Sequence, residues 1–213
     1  MEFVADAFFD YAAENSSPEP ELLQQLRRET YQKELQPRML SGPLQGRLLS
    51  LLSKLVQPNK IIEFGTFTGY ASLCLVEGLT KSGELHTLDK NEELQQLQSK
   101  YFEASGYAQQ IHQHLGKALD ILPTMVGPFD MAFIDADKEN TQLYYDWCIE
   151  NVRPGGLILT DNVLWSGKVL KPSDKEDIKT NVLKSFNTKT AKDSRVETVL
   201  LPLRDGLTIS RVL

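Results

Sequence analysis

Four acidic side chains stand at or just after short apolar runs that predict β-strands, namely Glu63, Asp89, Asp135 and Asp161. In an open sheet of parallel strands, ligands bind outside the carboxyl ends of the strands. Acids gathered along that edge repel one another unless cations or hydrogen-bond donors use them. The pattern therefore predicts a functional edge, although helix caps alone also explain some of these positions.

Two of these acids, together with Asn162, have the chemistry of a magnesium site. Asp135, Asp161 and Asn162 offer hard oxygen ligands on adjacent strand ends, and Mg²⁺ prefers octahedral oxygen coordination that leaves positions for water or a substrate. Lys138 follows at a predicted helix start, where a nearby dication favours the neutral amine that removes a proton. The alternative is structural: Asp135 and Asp137 cap the following helix, and Asp161-Asn162 forms an Asx turn.

The first strand-to-helix turn, Glu63 to Gly69, reads EFGTFTG. It is neither the GxGxxG of a dinucleotide-binding turn nor the GxxxxGK[ST] of a phosphate loop. Gly65 and Gly69 nevertheless permit a tight turn and close approach of a ligand, and Asp89 is well placed to accept ribose hydroxyls. An adenosine-bearing ligand without a diphosphate fits this pattern better than NAD does, and a purely structural turn is the other interpretation.

The elements that must position these residues follow from apolar periodicity. From residue 60 onward, short apolar runs alternate with amphipathic segments, which predicts βαβ units. The expected strands are 61–64, 84–88, 111–115, 129–134 and 157–160, and the expected helices are 70–79, 91–104, 118–125 and 138–151. A polar helix over 174–190 precedes apolar-rich runs at 196–201 and 207–212, which flank Asp205-Gly206 and predict an antiparallel hairpin.

The predicted fold class is α/β, with a single doubly wound, mostly parallel, seven-stranded Rossmann-like sheet, a C-terminal antiparallel hairpin and N-terminal helices. One domain is expected over residues 1–213, with a helical cap over 1–58 and the α/β core over 59–213. Within the cap, Ser16-Ser17-Pro18 predicts one helix start. Leucines at helical spacing between residues 44 and 55 predict the apolar face of another helix.

Composition excludes some classes of function. The 213 residues carry 23 basic and 29 acidic side chains, a net charge of −6, whereas nucleic-acid and anionic-membrane binders need a basic field. Cys74 and Cys148 are too few for a disulfide framework and fit a reducing compartment. The start of the chain lacks the pattern of a signal peptide, and no stretch is apolar enough to span a membrane. We therefore expect a cytoplasmic protein.

Several motifs agree with one family: residues 63–70 (EFGTFTGY), 129–138 (FDMAFIDADK), 161–167 (DNVLWSG) and 201–206 (LPLRDG). Over about residues 41–212, the chain resembles the cation-dependent, S-adenosylmethionine-dependent O-methyltransferases of the catechol and caffeoyl-CoA type. The resemblance implies transfer of the methyl group of S-adenosylmethionine to a hydroxyl of a metal-chelated, catechol-type acceptor. Mg²⁺ or a similar divalent cation is implied, and the transfer is an in-line displacement.

The resemblance also assigns roles to individual residues. The implied metal ligands are Asp135, Asp161 and Asn162. Lys138 stands at the position of the proposed catalytic base, and Tyr144 and Trp165 fall where the family lines its acceptor pocket. The implied contacts to S-adenosylmethionine are Ser41, Glu63, Gly65, Thr66, Asp89, Ala118 and Asp135, with Ala118 beside the adenine. A homodimer is implied as well, with an interface that the N-terminal helices could supply.

Three positions depart from the family's usual pattern. The family usually has a serine after its Gly-Tyr pair, where this chain has Ala71 and then Ser72, which removes one hydroxyl contact. Ser166 replaces the asparagine that is common in the plant enzymes, and Arg204 replaces a glycine of their Gly-Asp-Gly turn. These last two changes disfavour caffeoyl-CoA itself, and a smaller or differently charged catechol is an equal alternative.

Two other functions are less consistent with these residues. A nicotinamide-dependent oxidoreductase on a related fold is disfavoured by the missing third glycine of the dinucleotide motif. A non-catalytic adenosyl-binding protein is disfavoured by the complete set of implied metal ligands and base. The sequence predicts no functional site at the histidines. His86 lies inside the second strand. His112 and His114 alternate along an expected edge strand, with no acid at ligand spacing.

Overall fold

The computed structural model describes residues 6–172 and 174–213. The first five residues of the predicted helical cap lie outside these ranges. The strands are β1 (Lys60–Phe64), β2 (Glu84–Asp89), β3 (Ile111–Leu115), β4 (Phe129–Ile134), β5 (Val152–Asp161), β6 (Val196–Leu201) and β7 (Leu207–Val212). They form one seven-stranded sheet in the order β3-β2-β1-β4-β5-β7-β6.

The pairing of the strands confirms the predicted fold class. The pairs among β1 to β5 are all parallel. In contrast, β7 runs antiparallel to both β5 and β6, which is the predicted C-terminal hairpin inserted at one side of the sheet. The sheet is therefore doubly wound and mostly parallel, as in Rossmann-like folds.

Helices cover the sheet and precede it. They are α1 (Asp6–Glu14), α2 (Glu21–Lys33), α3 (Gly42–Val56), α4 (Tyr70–Val76), α5 (Gln95–Ser105), α6 (Ala118–Ile121), α7 (Thr141–Asn151) and α8 (Ile178–Thr190). The predicted N-terminal helices are thus present in the described residues. None of these helices is long and apolar enough to cross a membrane.

Apolar side chains alternate between the two faces of the central strands, because successive strand residues point to opposite sides. One face packs against α2 to α5 in a buried cluster that includes Ile61, Met131, Leu26, Leu49 and Phe102. The other face packs against α7 and α8 in a cluster that includes Ile62, Ala132, Tyr145 and Phe186. The division into a cap over 1–58 and a core over 59–213 stays a prediction, and α2 and α3 share one apolar cluster with the strands.

Some helix and strand boundaries differ from those predicted. The start predicted at Ser16-Ser17-Pro18 is wrong, because α2 begins at Glu21. The polar helix α8 begins at Ile178, since the Asp177 side chain caps it by accepting the backbone N–H of Thr180 at 3.1 Å. The predicted helices at 91–104, 118–125 and 138–151 each include a short 3₁₀ turn, at Glu92–Leu94, Leu122–Thr124 and Lys138–Asn140.

The register of the parallel strands brings their carboxyl ends to one edge. Phe64 of β1 pairs with Leu88 of β2 and with Ile134 of β4, and Ile134 pairs with Thr160 of β5. The residues that follow these four therefore lie along one edge, in the order Asp89, Gly65, Asp135 and Asp161. The strand order reverses between β1 and β4, which is where such sheets bind ligands.

The histidines of β2 and β3 lie together on one face of the sheet, and an acid does stand beside them. Glu84 Oε1 is 3.2 Å from His86 Nε2, and Glu84 Oε2 is 3.5 Å from His112 Nε2. His86 Nδ1 and His114 Nε2 share a hydrogen bond at 3.0 Å. Burial lowers the pKa of both His86 and His114 below its ordinary value.

Candidate active site

The turn after β1 joins three strand ends. Gly65 has a φ of +92°, and a Cβ atom there would lie 2.1 Å from the carbonyl oxygen of Asp135. The Gly65 N–H also donates to the Leu88 carbonyl at 2.8 Å. Only glycine satisfies both the positive φ and this close approach, so Gly65 is what allows the turn to lie between β2 and β4.

Asp89 organises the same turn. Its Oδ2 accepts the backbone N–H groups of Thr66 at 3.0 Å and Phe67 at 2.8 Å. Its Oδ1 accepts the N–H of Asn91 at 2.9 Å. A carboxylate has about four acceptor positions, so Oδ1 keeps one position for a ligand hydroxyl while the chain uses the others.

Glu63 is fully buried on β1, directly beneath the turn. Its Oε2 accepts hydrogen bonds from the hydroxyls of Ser72 and Thr87. Among the described residues, Oε1 has no hydrogen-bond partner. Burial, opposed by the two hydroxyls, raises the pKa of Glu63 to about 8. A cationic ligand fits this site, because it would supply the missing partner of Oε1.

The other two predicted contacts to S-adenosylmethionine lie at helix starts. Ser41 is the buried N-cap residue of α3. Ala118 is the first residue of α6 and follows a loop whose Gly116 N–H donates to the Asp89 carbonyl at 2.8 Å. The structure thus ties the loop before Ala118 to the end of β2.

Asp135 and Asp161 form a second group along the edge. Asp161 ends β5 and is 3% exposed, and its Oδ1 accepts the N–H of Asn162 at 2.7 Å. Burial and the charge of Asp135 raise the pKa of Asp161 above its usual value. Asn162 has a φ of +61°, a left-handed conformation that asparagine tolerates. Two interacting carboxylates therefore lie at adjacent strand ends, and Asn162 directly follows one of them.

This donor set fits a hard divalent cation. A cation would relieve the repulsion between Asp135 and Asp161, and carboxylate and amide oxygens are the ligands that Mg²⁺ prefers. In the described parts of the chain, no group of three or more His, Cys, Asp or Glu side chains is arranged to hold a metal ion. A cation here therefore depends on the amide of Asn162 and on oxygen ligands from outside the chain.

Lys138 is one of the cations that the chain itself brings to this group, together with Arg204. It begins the 3₁₀ turn after β4, and its Nζ lies 3.1 Å from Asp135 Oδ1. The Lys138 and Asp135 side chains are 11% and 20% exposed, respectively. This partly buried ion pair holds the amine next to the predicted metal ligands.

The two predicted acceptor-pocket residues have different surroundings. Tyr144 is buried, with its ring centre 4.9 Å from that of Phe64, and its hydroxyl donates to Asp137 Oδ1 at 2.8 Å. Trp165 is half-buried in the loop after β5, where Lys168 Nζ lies 6.0 Å from its ring centre. A packing role explains the contacts of Tyr144, and the role of both residues as pocket walls stays a prediction.

Three further side chains join the site without having been predicted as functional. Gln45 Nε2 donates to Asp161 Oδ2 at 2.6 Å, and Arg204 Nη1 lies 3.5 Å from Gln45 Oε1. Asp205 Oδ1 accepts the N–H of Ser166, and burial raises the pKa of Asp205. The LPLRDG motif contains Arg204 and Asp205, whereas Gln45 carries no signal because it lies inside a leucine-rich helix.

A surface cavity lies away from this edge. About 490 Å³ in volume, it lies between α7 and α8 and is lined by residues that include Gln142, Tyr145, Asp146, Lys189 and Arg195. Part of its charged lining is already paired, since Arg195 Nη2 lies 2.8 Å from Asp193 Oδ2. The edge is the better candidate site, because Glu63 and Asp161 are buried there and the switch point of the sheet coincides with it.

Known proteins resemble this chain along nearly its whole length. The model of the O-methyltransferase family matches residues 13–213. A catechol O-methyltransferase from Niastella koreensis is 36% identical over 171 residues, which is 78% of this chain and 77% of that protein. Caffeoyl-CoA O-methyltransferase 1 from Nicotiana tabacum is 34% identical over 220 residues, covering 97% of this chain and 92% of its own.

A solved structure agrees with these relatives. The O-methyltransferase TomG from Streptomyces achromogenes, in complex with S-adenosylmethionine, superposes with a TM-score of 0.87 at 31% identity, covering 97% of this chain and 96% of its own. The predicted family and enzyme class are thereby confirmed, and the nicotinamide-dependent alternative has no support. The chain belongs to the O-methyltransferase family.

Proposed function

We propose that this protein transfers the methyl group of S-adenosylmethionine to one hydroxyl of a vicinal dihydroxyphenyl acceptor, with the help of Mg²⁺ or a similar divalent cation. One observation carries the proposal. Asp135, Asp161 and Lys138 lie together at the carboxyl ends of β4 and β5, beside the point where the strand order reverses. The names of the catechol and caffeoyl-CoA relatives support an acceptor of this class.

Around β1 and β2, the chain's residues bind the methyl donor. Asp89 offers its remaining Oδ1 position to a ribose hydroxyl, and the partnerless Glu63 Oε1 suits a positively charged donor. Gly65 leaves room for the donor to approach the backbone. The remaining proposed contacts are Ser41, Thr66, Ala118 and Asp135. Together they fix the methyl carbon in position, so that orientation supplies a large part of the rate.

Around β4 and β5, the proposed metal ligands are Asp135, Asp161 and Asn162. When bound, the cation supplies Lewis acidity that favours ionisation of an acceptor hydroxyl and orients two neighbouring oxygens. Lys138 is proposed to take the proton that this hydroxyl loses, for which its amine must be neutral. A cation held by Asp135 would favour that form, because it would replace the ammonium as the partner of the carboxylate. A bond then forms between the acceptor oxygen and the methyl carbon as the bond from that carbon to sulfur breaks. Tyr144 and Trp165 are proposed to border the acceptor.

The proposal is tested by methyl transfer from labelled S-adenosylmethionine with Mg²⁺ and with EDTA. Catechol and caffeic acid are the acceptors, and resorcinol is the matched control because its two hydroxyls are too far apart to chelate one ion. We expect transfer to the first two acceptors only, and none in EDTA. Transfer in EDTA would exclude the metal site. Binding of S-adenosylmethionine without any transfer would show that the acceptor class is wrong.

A homodimer and a cytoplasmic location also stay proposals. Four large apolar side chains on α1 and α3 support the dimer, because they are 56–73% exposed: Phe8, Tyr11, Leu51 and Leu55. Contiguous exposed apolar residues mark association surfaces. Light scattering after size-exclusion chromatography tests this interface, and Leu55→Glu should convert a dimer to a monomer. A monomeric mass for the unmodified chain would contradict it.

A further inference from the structure

A buried glutamine connects the N-terminal helices to the proposed metal site. Gln45 lies on α3 with no exposed surface, and its Nε2 donates to Asp161 Oδ2 at 2.6 Å. The two residues are 116 positions apart in the chain. A buried amide that donates to a buried carboxylate forms a charge-assisted hydrogen bond, which is stronger and more directional than a neutral one.

The other end of the Gln45 amide faces Arg204. Arg204 Nη1 lies 3.5 Å from Gln45 Oε1, and the guanidinium also donates to the carbonyl oxygens of Ser41 and Arg38. A guanidinium only donates, and an ionised carboxylate only accepts. An amide is the group that satisfies both neighbours at once, so Arg204 determines which way the Gln45 amide points.

The Asp161 carboxylate is therefore held from two sides. Gln45 fixes Oδ2, and the backbone N–H of Asn162 fixes Oδ1 at 2.7 Å. Each oxygen keeps a second acceptor position. A carboxylate that is locked in orientation before a ligand arrives loses less conformational entropy when the ligand binds.

We propose that Gln45 is a positioning residue for the metal site, which orients Asp161 through its amide and is itself oriented by Arg204. The inference rests on the proposed function, because it assigns to Gln45 a role toward the cation that Asp161 would hold. Hydrogen-bonding partners of metal ligands commonly change metal affinity by about 10- to 100-fold when they are removed. The competing explanation is that Gln45 only satisfies a buried acid and contributes to stability.

Metal affinity separates these two explanations, because a purely stabilising role lowers the melting temperature and leaves the metal affinity of the folded protein unchanged. We would titrate Mn²⁺ and measure the unbound ion by electron paramagnetic resonance. Gln45→Met keeps much of the side-chain volume but removes the donor. We expect Mn²⁺ to bind it about 10- to 100-fold more weakly than the unmodified chain, with the affinity for S-adenosylmethionine changed less than about twofold.

Gln110→Met is the matched control. Gln110 Nε2 donates to the carbonyls of Thr80 and Gly83, at 3.2 and 2.7 Å, just before β3 and away from the carboxyl edge. This variant also loses side-chain hydrogen bonds, and we expect unchanged Mn²⁺ affinity. If Gln45→Met does not fold, Gln45→Asn serves instead, because it keeps an amide but withdraws it from Asp161 by one methylene.

The outcomes are distinct. Equal Mn²⁺ affinity in the unmodified chain and in a folded Gln45 variant overturns the role of Gln45 and leaves the proposed function standing. No Mn²⁺ binding by the unmodified chain overturns the metal site, and the role of Gln45 with it. Weaker binding by the Gln110→Met control as well would show a general effect of destabilisation, which also overturns the inference.

Discussion

The two halves of the carboxyl edge use their acids in different ways. Around β1 and β2, donors of the chain surround the carboxylates: two hydroxyls on Glu63 Oε2, and three backbone N–H groups on Asp89. Around β4 and β5, Asp135 and Asp161 interact with each other, and the nearby charged groups are Lys138 and Arg204. The first half is organised by neutral donors, whereas in the second half charged groups act on Asp161 in addition to two neutral donors, Gln45 Nε2 and the N–H of Asn162.

The two halves are therefore suited to different tasks, namely binding of an organic ligand in the first and of a cation in the second. Neutral donors fix the geometry of a strand-to-helix turn, which suits binding of an organic ligand by shape and hydrogen bonds. Interacting carboxylates favour a cation, because a cation relieves their repulsion. If the comparison is correct, substitutions in the second half reduce turnover while ligand binding in the first half persists. Substitutions in the first half instead change the affinity for the methyl donor, the stability and the pH dependence of the stability.

The largest expected effect is that of Asp161→Asn, which removes one charge from the second half. We expect turnover to fall by about a thousandfold or more, because Lewis-acid assistance is worth several kcal/mol. The affinity for S-adenosylmethionine should stay within about twofold when measured by calorimetry. Asp130→Asn is the control, since Asp130 lies at the opposite end of β4 and accepts the N–H groups of Asn59 and Lys60. Normal turnover by Asp161→Asn would break the comparison.

Lys138→Met is expected to lower kcat by about a hundredfold, at the lower end of the range for loss of a general base. Lys138→Arg separates base from charge, because arginine keeps the positive charge but does not release its proton at accessible pH. Steady-state kcat with catechol at saturating S-adenosylmethionine measures both variants. If Lys138→Arg turns over at the rate of the unmodified enzyme, Lys138 acts only through its ion pair with Asp135.

The sequence predicts the edge better than it predicts the contacts across it. Strand periodicity correctly places β1 to β4, so the acids that follow these strands reach one edge by register alone. Strand periodicity does not identify Gln45, because it is one polar residue on a leucine-rich helix and its partner, Asp161, is 116 positions away. Arg204 has a φ of +50° in the turn between β6 and β7, and a turn residue gives no indication that its side chain reaches back to Ser41.

Helix starts are also poorly predicted, again for a physical reason. Two helices, α5 and α7, directly follow a 3₁₀ turn. Such turns are frequent at helix ends, and residue periodicity does not distinguish one from the first turn of the α-helix. Lys138 therefore lies in a 3₁₀ turn and α7 begins at Thr141. The motif positions Lys138 correctly along the chain, but only the tertiary structure shows its 3.1 Å contact with Asp135 Oδ1.

A smaller effect is expected from Glu63 in the first half. Its folded-state pKa of about 8 lies above the ordinary value of 4.5, so the folded chain holds a proton that the unfolded chain releases as pH rises. The free energy of unfolding without ligand should therefore fall from about pH 4.5 to about pH 8, by an amount on the order of a few kcal/mol. The raised pKa of Asp161 also makes the free energy of unfolding fall with rising pH, but only up to about pH 6. A fall between pH 6.5 and 8 is therefore assigned to Glu63.

Urea denaturation at several pH values measures this effect. Glu63→Gln should flatten the decline between pH 6.5 and 8, because glutamine does not titrate. Glu150→Gln is the control, as Glu150 is exposed on α7. If the free energy of unfolding of Glu63→Gln declined as much as that of the unmodified chain, a protonated Glu63 would not stabilise the first half. The two halves would then differ less than we propose.

The smallest expected effect has the opposite sign and comes from the face of β2 and β3. His86 and His114 have pKa values below the ordinary 6.5, because burial disfavours their charged forms. The unfolded chain takes up protons below about pH 6.5 that the folded chain does not, so the histidines' own contribution to stability declines as pH falls through this region, against the opposite contribution of Glu63. Glu84 and Lys60 are the charged groups that face His86, and Glu84 opposes the effect.

Relative to the unmodified chain, His114→Gln should gain stability as pH falls from 7 to 5.5, because it removes one titrating ring and keeps an acceptor for His86 Nδ1. Urea denaturation of both chains at each pH gives this difference, in which the contribution of Glu63 cancels. His112→Gln, at the more exposed ring, is the matched control and should change the difference less. The same pH dependence in His114→Gln and in the unmodified chain would show that the ring of His114 does not cause the acid sensitivity of this face.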